Sequence, residues 1–417
     1  VKPRLVFVSP RYLLPADMGG KIRTAHVLKG LTGGRFHVTL VSPVPRDVPP
    51  EHAAELSSMC DTFVGWPDLP RGALFGVTRL RHLLSSLPVP VATDRSDAAR
   101  AVVQKALAGA DVLVADFLHS AVLLPSRHDA VSVLFTHNVE AEIFARHCEI
   151  AQGLKRLVWQ DQLRKMQAFE AATLKAFDAV VAVSERDRDA FRRDYGVGAA
   201  VIPTGVDLDY FPFHPQADDV RPVFAFTASM DSLANIDGVR WFMDKVWPHI
   251  VAALPEAQMR VIGRKPDPGL VAEASRRGIA WIFTGTVDDV RPHLEGAAAY
   301  VIPLRVGGGT RIKAYEAMAF GLPTVSTAVG IEGLAVEPDR HFLQADSDEA
   351  FAAAAVRLAT DRALRHRLAA EARSLVERNC SARSVGQVFE AICAAAMEKK
   401  GLSASPVRTP ARGTSAA

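Results

Sequence analysis

The residues best suited to chemistry lie between Val301 and Val325, which read Val-Ile-Pro-Leu-Arg-Val-Gly-Gly-Gly-Thr-Arg-Ile-Lys-Ala-Tyr-Glu-Ala-Met-Ala-Phe-Gly-Leu-Pro-Thr-Val. An apolar strand ends at Leu304, then come Gly307, Gly308 and Gly309. Thr310 is placed to cap a helix that stops at Gly321 before Pro323. The glycines clear side chains from the space where backbone amides would approach a ligand. The helix start behind them carries partial positive charge, and Arg311 and Lys313 add two full charges. Together these groups suit an anion such as a diphosphate. Glu316, about one and a half turns on, repels phosphate and is better placed to accept hydrogen bonds from paired sugar hydroxyls, such as those of a ribose. The plainer alternative is a tight strand–helix turn with an exposed Lys313/Glu316 pair at i,i+3.

Two further places invite chemistry. Thr136-His137-Asn138 follows directly on an apolar strand, at the edge where parallel sheets hold ligands, although a histidine there also serves as a satisfied structural residue. Glu140 and Glu142 come next and could face a ligand or solvent. Gly19-Gly20-Lys21 lies between the first strand and the first helix, where a phosphate or acceptor would meet bare amides; glycine pairs also make ordinary turns. No Gly-x-Gly-x-x-Gly follows the first strand, and no Gly-x-x-x-x-Gly-Lys-Ser/Thr occurs. A dinucleotide fingerprint and a P-loop are therefore excluded.

The elements that must position these residues are strands alternating with helices. Leu5–Ser9, Val38–Ser42, Asp111–Asp116, Val131–Thr136 and Asp178–Ser184 are short runs, mostly apolar and without alternation, separated by stretches of helical length such as 154–177. That pattern means a parallel sheet covered on both faces. At Val201–Pro212 it breaks into prolines and acidic residues and then restarts. Strands are predicted at 223–228, 258–263, 279–284, 299–304 and 323–327, with helices at 237–253, 270–277, 289–297, 310–320 and within 347–398. The expected architecture is α/β: two Rossmann-like domains, 1–205 and 206–398, facing a central cleft, with the last helix free to pack back on the first domain. Residues 399–417 read as a disordered tail. In the helix 154–177, Leu154, Leu157, Val158, Met166 and Phe169 are expected to share a core stripe. Lys155, Arg156, Arg164 and Lys165 lie outside it, as a solvated face or a contact to anionic lipid.

The chain has 417 residues, 49% hydrophobic and 23% charged, a balance that builds folded cores rather than disorder. Its net charge of +3 is too small to point to nucleic acid. The charges are split: +4 over residues 1–205, −5 over 206–398 and +4 over 399–417. Cys60, Cys148, Cys380 and Cys393 are far apart, so zinc, iron–sulfur and disulfide frameworks are not expected. No carboxylate cluster calls for a divalent metal. The longest apolar stretch, 106–124, is interrupted by Asp111, Asp116 and His119, which argues against a membrane span, and the apolar run at the N-terminus is too short for a signal-peptide core. A reduced cytoplasm is the expected compartment.

Thr-Arg-x-Lys-x-x-Glu-Ala-Met-Ala-x-Gly-x-Pro resembles the nucleotide-sugar motif of the retaining glycosyltransferases of family 4, which have the GT-B fold. Phe283-Thr-Gly-Thr-Val-Asp-Asp289 resembles that family's base-binding turn, Pro203-Thr-Gly-Val-Asp207 its interdomain hinge, and Phe177–Ser184 its last N-domain strand. The variant Gly-Gly-Gly-Thr-Arg-Ile-Lys and the opening Gly-Gly-Lys-Ile-Arg are similar to sugar transferases of bacterial exopolysaccharide synthesis. The resemblance implies a nucleotide sugar bound mainly by the second domain, with Glu316 on the ribose, Lys313 at the diphosphate and His137 on hydroxyls of the transferred sugar; Arg311 is expected beside Lys313 as the other local cation able to neutralise the diphosphate. Donor contacts are expected at Gly19, Gly20, Arg264, Phe283, Gly307, Gly308, Gly309 and Thr310. No cofactor or metal is implied, and the acceptor would be a glycan or a lipid-linked glycan, met at the inner face of the membrane. Two departures stand out. Gly308 occupies the place of a glutamate eight residues before Glu316, and Ala228–Gly238 lacks the Arg and Lys that many members place there. A nucleotide-sugar 2-epimerase and a non-catalytic two-lobed sugar-binding protein remain as alternatives.

Overall fold

The computed structural model describes residues 2–16, 18–68, 79–215, 217–306 and 311–401. Gly307, Gly308, Gly309 and Thr310 lie outside the described residues, as does the tail from residue 402.

Seven parallel strands form the first sheet: β1 (Arg4–Val8), β2 (His37–Val44), β3 (Thr62–Pro67), β4 (Val112–Asp116), β5 (Val131–Phe135), β6 (Ala179–Ala182) and β7 (Ala200–Val201). Their order is β3-β2-β1-β4-β5-β6-β7. Every residue of β4 and β5 is buried, because helices cover both faces, which is why these strands carry no polar alternation. Six more strands, β8 (Val223–Thr227), β9 (Gln258–Ile262), β10 (Trp281–Phe283), β11 (Ala299–Ile302), β12 (Thr324–Ser326) and β13 (Leu343–Gln344), form a second parallel sheet ordered β10-β9-β8-β11-β12-β13. In each sheet the strand order reverses beside the first strand, at β1/β4 and at β8/β11. The crevice at such a reversal, beyond the carboxyl ends of the strands, is where open α/β sheets take ligands.

Local signals set the helix ends. Ser96, Ser184, Asp267, Ser347 and Asp361 accept hydrogen bonds from first-turn amides. Gly321, at φ +91°, ends the helix Ile312–Phe320 in the left-handed region that glycine alone enters without strain. The helix expected from 237 begins at Leu233, which is 82% exposed and so adds nothing to the apolar period. It runs to Ala253 through a π-helical turn at Phe242–Val246, just before Pro248, whose ring has no N–H to donate.

The chain divides into two compact units: residues up to Pro203 together with those from Val385, and Thr204–Ser384. The final helix, Ala382–Lys399, buries Phe389, Cys393, Ala396 and Met397 in the same core as Phe7 and Phe135. Lys399 therefore belongs to a helix and not to a tail. Lys400 is anchored as well, its ammonium 2.8 Å from the Asp178 carboxylate. The expected last strand of the first domain, β6, is followed by the two-residue β7, too short to leave an apolar signature.

A further expectation is overturned. Leu154, Leu157 and Val158 are 82%, 61% and 44% exposed and do not join Met166 in the core. The helices Glu140–Ile150 and Leu154–Ala176 form a hairpin turned at Gly153, and burial along the second helix begins only at Gln162. Near the turn the contact shown is Trp159 against the first helix, stacked on His147 at 4.3 Å and edge-on to Phe144 at 5.7 Å.

Candidate active site

In the second unit, three of the expected residues cluster at the β8/β11 reversal. Arg311, at the foot of the helix Ile312–Phe320, is buried and donates from Nε to the Val329 carbonyl at 3.1 Å. Burial holds its pKa below the usual guanidinium value. Lys313 is half-buried. Its Nζ donates to Asn235 Oδ1 at 3.2 Å and lies 4.5 Å from the centroid of the Phe226 ring. Asn235 is itself fixed by donating from Nδ2 to the Ser229 carbonyl at 2.8 Å. Burial and the Arg311 charge bring the Lys313 ammonium down to about 8, against the pull of Glu316. Glu316, half-buried and one helical turn on, is pushed up to about 7 by burial, opposed by Lys313. Among the described residues no hydrogen bond reaches its carboxylate. A cation and a carboxylate, both titrating near neutrality and both partly accessible, are paired by charge yet not locked together. That is the state expected of groups waiting for a ligand with an anionic and a hydroxylic part.

Phe283 ends β10 and Arg264 lies two residues beyond the end of the neighbouring β9, with β8 between these strands and β11. Arg264 donates from Nε to Ser229 Oγ at 2.6 Å, and Asp231 lies 3.6 Å from its guanidinium and 3.2 Å from Lys265 Nζ. Two cations thus stand against the very loop, Ala228–Gly238, that has none of its own. Asp289, in the turn after Phe283, is drawn down to about 2 by Arg291, which clasps both its oxygens, and by the Tyr210 hydroxyl. It fixes the turn.

In the first unit, His137 proves to be enclosed, with 1% of its side chain exposed. Its Nε2 lies 2.7 Å from Asp116 Oδ1 and its Nδ1 3.3 Å from the Arg23 guanidinium. Arg23 can only donate, so Nδ1 accepts and Nε2 carries the proton given to Asp116. Burial lowers the imidazole pKa against the pull of Asp116, a shift that favours the neutral ring. Asp116 is fully buried and also accepts from Ser9 Oγ at 2.8 Å and Thr24 Oγ1 at 3.0 Å. Over the imidazole lies the Phe117 ring, stacked at 4.0 Å, and Arg11 stands 5.2 Å from that ring. Phe117 has φ +62° and ψ +149°, a region that side chains other than glycine's rarely enter. Gly20 closes the arrangement. A Cβ there would come within 2.7 Å of the Phe117 ring and 3.8 Å of His137 Nδ1. Gly19 and Gly20 open the helix Gly19–Leu31, whose N-cap Met18 supplies no side-chain acceptor. Glu142 is engaged by Arg186 at 2.6 Å.

Sequence reasoning placed Lys313, Glu316 and Arg311 together. It overlooked Asn235, Phe226, Lys265 and Phe117, and it read Asp116 only as a break in an apolar stretch. A carboxylate at the end of a fully apolar strand, beside a second strand ending in Thr-His, was the available signal.

The chain matches two family descriptions in succession: "Glycosyltransferase Family 4" over residues 19–210 and "Glycosyl transferases group 1" over residues 221–361. It is 26% identical over 204 residues to a phosphatidyl-myo-inositol mannosyltransferase of Mycobacterium tuberculosis, covering 48% of this chain and 51% of that protein. It is 22% identical over 127 residues to a 44.6 kDa protein of the cps region of Klebsiella pneumoniae, covering 28% of this chain and 32% of that one. The chain therefore spans about a third to a half of these curated relatives. Among solved structures it is similar to Anabaena Alr3699/HepE, crystallised with UDP and glucose, at TM-score 0.61 and 14% identity over 93% of this chain and 98% of that one. Two consecutive matches along most of the sequence, on two parallel α/β sheets with matching strand reversals, lead to one assignment: the chain belongs to glycosyltransferase family 4 and has the GT-B fold.

Proposed function

We propose that the protein is a retaining glycosyltransferase that moves a sugar from a nucleoside diphosphate sugar to a hydroxyl of a glycan or lipid-linked glycan, in the synthesis of cell-surface polysaccharide. The observation that carries this reading is the Lys313/Glu316 pair, one turn apart on the helix at the β8/β11 reversal, with the Lys313 ammonium set by Asn235 and, among the described residues, no hydrogen bond on the Glu316 carboxylate. Glu316 accepts the ribose hydroxyls. Lys313, Arg311 and the start of their helix take the diphosphate, and Arg264 adds charge from the end of β9. Gly307, Gly308, Gly309 and Thr310 would contribute amides, and Phe283 would border the base. The mannosyltransferase and the UDP-bound relative are consistent with a donor of this class, and the cps-region relative with the pathway.

The bond from the sugar's anomeric carbon to the diphosphate breaks, and a bond from that carbon to the acceptor oxygen forms on the same face. The acceptor proton passes to the departing diphosphate oxygen. No side chain acts as a covalent nucleophile, so catalysis rests on orientation and on charge stabilisation at the leaving group. His137, with both ring nitrogens engaged, serves through the surface it supports, Phe117 and Gly20, where the amides of Gly19 and Gly20 meet sugar or acceptor.

Incubation with a panel of UDP- and GDP-sugars, with and without bacterial lipid extract and with EDTA, tests the reading. Nucleotide release that needs an acceptor and survives chelation supports it. An isomerised donor without acceptor would identify an epimerase, and a requirement for magnesium or manganese would remove the assigned role of the side-chain cations.

A further inference from the structure

The hairpin of helices Glu140–Ile150 and Leu154–Ala176 ends in a tip with an unusual composition. Leu154, Leu157 and Val158, on one face of the helix, stand in solvent; Lys155 lies at the side of that face, and Arg156, also exposed, projects from the far side of the same first turn. Among the described residues neither cation makes an ion pair. Farther along, the same helix treats its cations differently: Arg164 pairs with Asp161 at 3.0 Å, and Lys165 pairs with Asp161 at 2.6 Å and donates to the Leu83 carbonyl at 2.8 Å. Of the four basic residues in the first half of this helix, Arg164 and Lys165 are engaged by Asp161 and Leu83, and Lys155 and Arg156 remain at the aliphatic tip. On the facing helix Glu149 is exposed and offsets one charge, while Arg146 lies 3.8 Å from Glu142.

The tip is held rigidly. Trp159 stacks on His147, and the Glu170 carboxylate reaches from the second helix to the first, accepting from the amides of Glu140 at 2.8 Å and Ala141 at 3.1 Å. A stiff hairpin whose end joins exposed aliphatic residues to cations that outnumber the neighbouring acid has the makeup of an element that lies in a membrane interface.

We infer that this tip docks on an anionic lipid bilayer, with Leu154, Leu157 and Val158 entering the headgroup–acyl boundary and Lys155 and Arg156 meeting lipid phosphates. A second copy of the chain would set these cations against their own kind. The segment 402–417 carries Arg408 and Arg412 and no acid, so it has the wrong sign to cover them. The hairpin starts three residues after His137, and its first helix spans about 16 Å. A docked tip thus brings the carboxyl edge of the first sheet within reach of a lipid headgroup. This last consequence rests on the proposed transfer to a lipid-linked acceptor; the docking itself does not.

The test is co-sedimentation of the whole protein with phosphatidylcholine vesicles with and without phosphatidylglycerol, over a range of salt. A basic side chain near an anionic surface is worth about fivefold in partitioning. Lys155→Glu with Arg156→Glu should therefore reduce binding by about thirtyfold or more. Leu154→Gln with Leu157→Gln should reduce it at least tenfold, whereas Arg164→Glu should change it little. Donor affinity, measured on each variant, should stay at the wild-type value, which separates failure of docking from failure of the transferase reading. Binding should weaken as salt rises. Wild-type protein that ignores phosphatidylglycerol vesicles at low salt overturns the inference. So does binding equal on both vesicle types, or sedimentation velocity showing a dimer that the leucine substitutions dissolve.

Discussion

Donor affinity should pass through a maximum between about pH 7 and 8, set by Glu316 on the acid side and Lys313 on the alkaline side. In the proposed donor complex a ribose hydroxyl donates to ionised Glu316 and a diphosphate pairs with protonated Lys313, so a sugar nucleotide bound in that way selects the state in which both are charged. Each unit of pH beyond a group's pKa reduces that state about tenfold. At pH 6 roughly a tenth of Glu316 is ionised, and affinity should be about fivefold below its pH 7 value; at pH 9 Lys313 imposes a similar loss. The two titrations are coupled, so the limbs belong to the pair. An intact sugar nucleotide is the right probe, because its diphosphate lacks the terminal group that takes up a second proton near neutrality. Isothermal titration calorimetry in buffers of different ionisation enthalpy reads affinity and proton exchange together. Glu316→Gln should flatten the acid limb and keep the alkaline one, and Glu316→Ala should weaken binding about 10- to 150-fold, as expected for a charge-assisted hydrogen bond. Equal affinity from pH 6 to 9 in the wild type, unchanged by Glu316→Gln, would refute the assignment of both residues to the donor.

Gly20→Ala should lower thermal stability by about 1–3 kcal/mol, since the new methyl presses on a Phe117 ring backed by His137; an unchanged melting temperature would show that the ring moves freely. Asp116→Asn removes the charged acceptor shared by Ser9, Thr24 and His137 and should cost about 1–3 kcal/mol. Nitrogen NMR should then show the His137 proton redistributed between ring nitrogens, and an unaltered tautomer would disconnect the two residues. Glu170 is pushed by burial from the ordinary 4.5 up to about 7, against three donors: the Tyr195 hydroxyl and the amides of Ala141 and Glu140. Between those values the folded protein holds a proton that the unfolded chain has released, so stability should fall as pH rises from about 4.5 to 7. Glu170→Gln should make the melting temperature less sensitive to pH across that window; an identical slope in both proteins would count against the shift.

The strand–helix alternation, the parallel sheets and the helix stops were legible in the residues because each depends on neighbours in sequence. Apolar runs covered on both faces need no polar alternation, and Gly321 followed by Pro323 ends a helix wherever it lies. For the same reason Arg311, Lys313 and Glu316 could be placed together: they share one helix start, and helical geometry orders them without help from the rest of the chain. The tip of the hairpin escaped this reasoning. Leu154, Leu157 and Val158 have the spacing of a core stripe, but spacing names a face and not what covers it. Here the facing helix ends at Ile150 and the tip is left exposed.

Tertiary structure decided the rest, through contacts between residues far apart in the chain. Asn235 reaches Lys313 across the junction of β8 and β11, and Arg264 and Lys265 bring charge from β9 to a loop that lacks it. Asp116 gathers Ser9, Thr24 and His137 from three other segments. The sequence determined which side chains could bind a sugar nucleotide. Which of them are exposed, which are desolvated enough to titrate near neutrality, and which are sealed beneath a strained phenylalanine depends on burial. Burial is a property of the packed chain, since the free-energy cost of a charge is set by what surrounds it and not by its neighbours in sequence.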